Sequence, residues 1–322
     1  MDLKTSRRRD SRGFGAVPVT EGTIDFRGYR TWYRIVGEDI GGRLPVVVLH
    51  GGPGATHQYL EPLDVLAESG RRIVFYDQIG CGRSDRPTDP AFFETQTFVD
   101  ELVTLRAALG LDRVHLVGQS WGGMLAMQYA LERPAGLASI VVADSPADMG
   151  QWVSEANRLR AALPSDVQRV LAEHEAAGTT TAPEYGAAVE IFYRKHVCRL
   201  DPWPDPFVRT AEALERDNFV YLVMNGPSEF HVIGKLASWS ILDRLHEIET
   251  PTLLISGAHD EATPAIVGAI AERIPHAEWV LFEESSHTPH LEQPDAFSAT
   301  VRAFLAGVES GSRTLQTAHT IS

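Results

Sequence analysis

Residues 114–134 hold the pattern that most narrows what this chain can become. A short apolar run (Val114, Leu116, Val117) meets Gly118-Gln119-Ser120-Trp121-Gly122, and beyond it Met124, Leu125, Met127 and Tyr129 recur at helical spacing until a stop near Pro134. The pattern predicts strand, sharp turn, helix. In that context Gly-x-Ser-x-Gly has a mechanical meaning. The strained turn lifts the Ser120 hydroxyl above the end of a sheet, and Gly118 and Gly122 spare the space where strand and helix nearly touch. Ser120 is the candidate nucleophile.

Strand and helix patterns alternate on both sides of this turn. Residues 45–49, 72–76, 138–143, 252–256 and 278–282 are apolar runs suited to strands covered on both faces, and helical patterns lie near 58–68, 97–109, 265–273 and 294–305. Upstream, residues 23–26 and 31–36 alternate around Gly28 as an antiparallel hairpin. This is an α/β chain with a mostly parallel sheet and helices on both faces. From 148 to 236 the character changes: charged helical patterns alternate with Pro-rich breaks such as Asp201-Pro202-Trp203-Pro204-Asp205-Pro206, with no buried-strand run. That segment is expected to be an inserted helical cap. The expected organisation is a flexible extension at 1–15, a core formed by 16–147 and 237–306, the cap at 148–236, and a flexible tail at 307–322.

Composition excludes some partners. A formal net charge of -14 leaves no basic surplus for phosphates, so nucleic acid and anionic membrane are not expected. The basic residues Lys4 to Arg9 are followed by Asp10-Ser11-Arg12-Gly13 rather than an apolar stretch, and no transmembrane run is present. A cytoplasmic enzyme is the expectation; oligomeric state is not legible. Cys81 and Cys198 are too few for a disulfide framework and are expected to be reduced and buried.

The second chemical feature is His50-Gly51-Gly52-Pro53-Gly54, which ends the 45–49 strand. Acyl transfer builds negative charge on a carbonyl oxygen, and preorganised backbone N–H groups stabilise it by roughly 3 kcal/mol per donor. The Gly52 and Trp121 amides are the candidate oxyanion hole. His50 is expected to order the glycine loop, and Asp77 to bond local amides.

Ser120 needs a base, and the base needs an acid to fix its tautomer. Asp260 directly follows the 252–256 strand, with Asp144 as the alternative acid. His287 lies in the loop after the last strand and is the candidate base, with His290 as the alternative. The His287 and His290 pair lacks the further ligands a zinc site requires, so no metal and no cofactor are expected. Cys81 reads as a packing residue.

Here the chain resembles a known family. His50-Gly51-Gly52-Pro53-Gly54, Asp77-Gln78 with Gly80-Cys81-Gly82-Arg83-Ser84, Gly118-Gln119-Ser120-Trp121-Gly122-Gly123, and His259-Asp260-Glu261 before Thr263-Pro264 are together similar to the proline iminopeptidase family of α/β-hydrolases. That family includes the tricorn interacting aminopeptidase and L-amino acid amidases. The likeness spans about residues 20–306 and departs at Ile79, where many members carry Arg.

The resemblance implies the α/β-hydrolase fold and acidic side chains that hold the substrate's free α-amine. The matching positions here are Glu229 and Glu261. The expected function is a serine hydrolase that cleaves the amide after an N-terminal residue, acting on an amino acid amide or short peptide. The alternative is an esterase or lactonase with the same triad and neutral acyl substrates. A binding module with vestigial catalysis is disfavoured by the intact serine, histidine and aspartate. Trp203, Phe207, Phe219 and Tyr221 are candidate lining residues for the acyl side chain, whose identity the sequence leaves open.

Overall fold

The computed structural model describes residues 4–8, 17–312 and 319–322. Its frame is a ten-stranded sheet in the order β1-β2-β3-β5-β4-β6-β7-β8-β9-β10. The strands are β1 (Lys4–Arg8), β2 (Val17–Phe26), β3 (Tyr29–Val36), β4 (Val46–Leu49), β5 (Ile73–Tyr76), β6 (Val114–Gln119), β7 (Leu137–Ala143), β8 (Thr252–Gly257), β9 (Glu278–Phe282) and β10 (His319–Ile321). The first three meander antiparallel, and every pairing from β5 to β10 is parallel.

Period-two geometry sends alternate residues of each central strand to opposite faces, and both faces are covered. Val47, Leu49, Leu116, Ile140 and Leu254 pack with α1 (Thr95–Ala108), α2 (Trp121–Leu131) and α8 (Pro264–Ala271). Val46, Val48, Val117, Val141 and Leu253 face the opposite layer. That layer is built by α10 (Pro294–Ser310) and a 3-10 helix over His57–Ser69, where the sequence pattern suggested an ordinary helix.

Between β7 and β8 the chain leaves the sheet as α3 (Met149–Arg160), α4 (Ser165–Ala177), α5 (Pro183–His196), α6 (Asp205–Arg216) and α7 (Phe219–Met224). Leu163, Leu171, Phe192 and Phe230 form a small separate core there. Specific polar contacts seat it on the helices and loops of the core: Arg209 pairs with Glu61 at 2.7 Å, and Thr263 Oγ1 donates to Glu155 at 2.8 Å. The four-residue α9 (Pro289–Glu292) precedes α10.

Both chain ends differ from the sequence expectation. Lys4–Arg8, within the stretch expected to be loose, pairs antiparallel with β2, and His319–Ile321 pairs parallel with β9. Ladder bonds are made by the backbone, so a polar segment can cap a sheet edge without an apolar face to bury. Glu309, within the tail expected to be flexible from 307, lies in α10. It pairs with Arg71 at 3.0 Å and Arg43 at 2.8 Å, and accepts the Leu44 N–H at 3.0 Å. Residues 9–16 and 313–318, also part of those expectations, lie outside the described residues.

Among the described residues, no helix is long and apolar enough to cross a membrane.

Candidate active site

Three loops at the carboxyl ends of parallel strands build the site: β6 to α2, β8 to α8, and β9 to α9. Ser120 sits at the first of these turns with φ 56° and ψ -123°, a conformation an L-residue holds only when its surroundings over-determine it. The surroundings do so through contact. A Cβ on Gly118 would come 2.1 Å from the Gly122 carbonyl oxygen, and one on Gly122 would come 2.0 Å from that of Leu49. The glycines therefore permit the strand-to-helix crossing, and that crossing fixes Ser120.

His287 and Asp260 meet beside this turn. His287 Nδ1 lies 2.7 Å from Asp260 Oδ1. A carboxylate oxygen can only accept, so Nδ1 carries the proton and Nε2 presents a lone pair. Asp260 Oδ1 also accepts the Ala262 N–H at 2.8 Å. Burial works against protonation of His287, but the charge and hydrogen bond of Asp260 outweigh it, helped by Glu229 and Glu292, and its pKa is raised. Glu292 also pins the His287 loop, accepting from Ser286 N at 2.7 Å and Ser286 Oγ at 2.8 Å.

The alternatives weighed in the sequence lie elsewhere. His290 is buried against Tyr59 and Phe297, with ring centroids 5.5 and 5.8 Å away, and burial pushes its pKa down to about 3. Asp144 stands behind Asp260 rather than against the imidazole, accepting the Gly257 N–H at 3.2 Å. Both cysteines are buried and unpaired, and burial raises the Cys81 thiol well above its ordinary value, leaving it protonated.

The glycine loop adjoins Ser120: a Cβ on Gly51 would lie 3.1 Å from the Ser120 Cβ. His50 orders this loop, its Nδ1 2.9 Å from the Gly51 carbonyl and its Nε2 accepting the Gln78 N–H at 2.9 Å. Burial lowers its pKa to about 4, so the imidazole is neutral. Asp77 accepts the amides of His57 and Arg83, each at 2.9 Å. It also takes a bond from the His57 ring at 2.8 Å, which nothing in the sequence indicated.

Ser120, Gly52 and His287 open into a cavity of about 360 Å³ beneath the cap, and Glu229 and Glu261 both line it. Glu229 Oε1 accepts the Tyr221 hydroxyl at 2.6 Å. Glu261 Oε1 lies 3.8 Å from His287 Nε2, and neither of its buried oxygens receives a donor among the described residues. Burial first, then the nearby Glu229 and Asp260 charges, raise the Glu261 pKa well above the ordinary carboxylate range; burial also raises that of Glu229. Trp203, Phe207 and Tyr221 line the apolar part of the cavity, whereas Phe219 packs edge-on against Phe93 at 5.9 Å. Sequence reasoning missed the buried polar chain through Tyr59 and Gln119, and no local pattern announces it.

Comparison with known proteins agrees with this fold. The family described as the alpha/beta hydrolase fold matches residues 45–294. A proline iminopeptidase of Clostridioides difficile (strain 630) is 39% identical over 290 residues, covering 90% of this chain and 99% of that protein. The crystal structure of a proline iminopeptidase from Mycobacterium smegmatis superposes with a TM-score of 0.84 at 42% identity, covering 91% of this chain and all of that one. The crystal structure of VinJ gives 0.87 at 47% identity, covering 89% and 98%. An α/β-hydrolase sheet, a serine at its strained turn and likeness of this extent lead to one assignment: the chain is an enzyme, a serine hydrolase of the proline iminopeptidase family.

Proposed function

We propose that this enzyme cleaves the amide bond after an N-terminal residue whose α-amine is free, through an acyl-enzyme on Ser120. One observation carries the reading: two carboxyl groups, Glu229 and Glu261, converge in the cavity that holds Ser120 and His287. Burial makes both carboxyls costly to ionise, and an ammonium supplies the countercharge they need, forming charge-assisted hydrogen bonds in a water-poor pocket. An acylated amine brings no such charge and leaves the carboxyls without their partner.

With the amine held there, the adjacent carbonyl is directed toward Ser120. Ser120 Oγ attacks the carbonyl carbon while His287 Nε2 takes its proton; Asp260 fixes the tautomer and stabilises the imidazolium. The Gly52 and Trp121 amides hold the developing oxyanion. His287 then gives the proton to the leaving amine, and a water, activated by the same imidazole, releases the amino acid. The cavity's apolar lining suits an apolar acyl side chain, and the similarity to proteins named proline iminopeptidases supports proline as that residue.

The test pairs prolyl and alanyl anilides bearing a free amine with their N-acetylated forms, and adds a simple acyl ester. Preference for the free amine supports the reading. Ester turnover with indifference to the amine would overturn the substrate class and favour an esterase.

A further inference from the structure

The strand-end position that nearly matched Asp260 in the sequence is occupied by a second buried carboxyl, which the chemistry above does not use. Asp144 immediately follows β7 with its side chain fully buried, and Asp260 follows β8 with 1% of its surface exposed. The two side chains are close enough for the charge of Asp260 to act on Asp144 and for a shared proton to join them. Each also has an accounted oxygen: Asp144 Oδ1 accepts from Gly257 N, while Asp260 Oδ1 accepts from His287 Nδ1 and Ala262 N. The remaining oxygen of each, Oδ2, receives no N–H or O–H from another residue among those described.

Two carboxylates are both acceptors and cannot bond to each other without a proton between them. Two unprotonated carboxyls side by side and out of water would also repel, and the N–H donors of Gly257, Ala262 and His287 offset that cost only in part. The proton belongs on Asp144, because Asp260 faces the imidazole. Other groups act the same way. Burial first, then the charges of Asp260 and of Glu292 from α9, raise the Asp144 pKa well above the ordinary range, and the Gly257 N–H opposes only in part. From the 3-10 helix, Tyr59 feels Asp144 as well, and its own hydroxyl is held neutral by burial.

We propose that Asp144 is a positioning residue that stays protonated at neutral pH and donates its hydrogen bond to Oδ2 of Asp260. Its backbone is pre-set for this, since φ is 54°, a left-handed conformation that Asp and Asn tolerate better than most residues. The neutral carboxyl holds the Asp260 plane so that Oδ1 points at His287, and it satisfies the second oxygen without placing another negative charge beside the imidazole. The inference rests on the Asp260–His287 pair as the acid–base couple, not on the identity of the substrate.

Infrared difference spectroscopy of the full-length enzyme at neutral pH, wild type minus Asp144→Asn, tests it without turnover. The expected result is loss of one protonated-carboxyl C=O stretch in the variant; no lost band, as a bridging water between two carboxylates would give, overturns the proposal. Kinetics supply a second reading, on whichever of the aminoacyl anilide or acyl ester is turned over. Asp144→Asn, whose amide N–H replaces the carboxyl O–H, is expected to keep kcat within about threefold, and Asp144→Ala to lose about tenfold or more in kcat with KM little changed. Equal loss in both variants would mean that Asp144 acts through its charge, and would also overturn it. If the enzyme prefers the ester, the substrate reading fails while the infrared result stands.

Discussion

The Tyr59 hydroxyl donates to Gln119 Oε1 at 2.5 Å, and this contact joins the 3-10 helix to the end of β6. The same hydroxyl accepts the Gly51 N–H at 2.7 Å, and Gln119 Nε2 donates to the His287 carbonyl at 2.8 Å. A single buried chain thus runs from the glycine loop, past the residue before Ser120, to the loop of the base. Tyr59→Phe removes the shared oxygen while keeping the ring. The expected outcome is a loss of about tenfold in kcat, corresponding to about 1.4 kcal/mol, with KM nearly unchanged. A raised KM at constant kcat would show instead that the chain serves substrate binding.

Glu229 helps to raise the His287 pKa, so neutralising it has a signed consequence. The base must be unprotonated to act, and activity falls as pH drops through its pKa. In Glu229→Gln the acid limb of the kcat/KM profile is expected to move to lower pH. Preference for a free amine over its acetylated form is expected to fall by about 10- to 100-fold, the range for one charge-assisted hydrogen bond. An unmoved acid limb with intact amine preference would count against a role for Glu229 in either.

Glu101, fully buried, accepts the Thr31 hydroxyl and the Ile79 N–H, and burial pushes its pKa from 4.5 up to about 8. The folded state therefore binds a proton that the unfolded state releases, and stability from this group declines as pH rises from 4.5 to about 8. Glu101→Gln stays neutral throughout. Its Tm relative to wild type is expected to rise between about pH 5 and pH 9, by an amount equivalent to a few kcal/mol in order of magnitude. Thermal unfolding of both proteins at the two pH values decides it; a constant difference would mean Glu101 is not the titrating group.

Glu309 behaves in the opposite sense. Burial opposes its ionisation, yet Arg43, the Leu44 amide and Arg71 bring its pKa down to about 2. The stabilisation is complete above the ordinary value of 4.5 and is lost as pH falls toward 2. Glu309→Gln is expected to cost about 2 kcal/mol near neutral pH, because the Arg71 side chain, 2% exposed, loses its countercharge. Denaturant unfolding should show the gap narrowing in acid; a gap independent of pH would refute the ionic origin.

Much of the site was legible because its signals are local. Gly118 and Gly122 mark a crossing that admits no side chain, and apolar runs mark each strand that ends at the site. The choice between His287 and His290, only three positions apart, was a matter of loop against helix start, and in the fold it is His287 that lies 2.7 Å from Asp260. Glu309 was misread because a polar, weakly periodic segment looks solvent-exposed until Arg71 and Arg43, more than 200 residues earlier, are brought beside it. The terminal strands were missed for a related reason: edge pairing is made by backbone groups every sequence possesses.

By itself the sequence determined the order of the central strands and the helices between them, the strained turn at Ser120 and the set of chemical groups available, since periodicity and glycine placement act over a few residues. Only the tertiary structure decided how those groups are charged and which of them meet. A carboxyl's protonation depends on burial and on its neighbours, and Asp144, Glu229 and the adjacent pair Asp260 and Glu261 come from three separate segments. Their meeting at the carboxyl ends of parallel strands, under the inserted helices, makes one accept from His287, one carry a proton and two face the cavity.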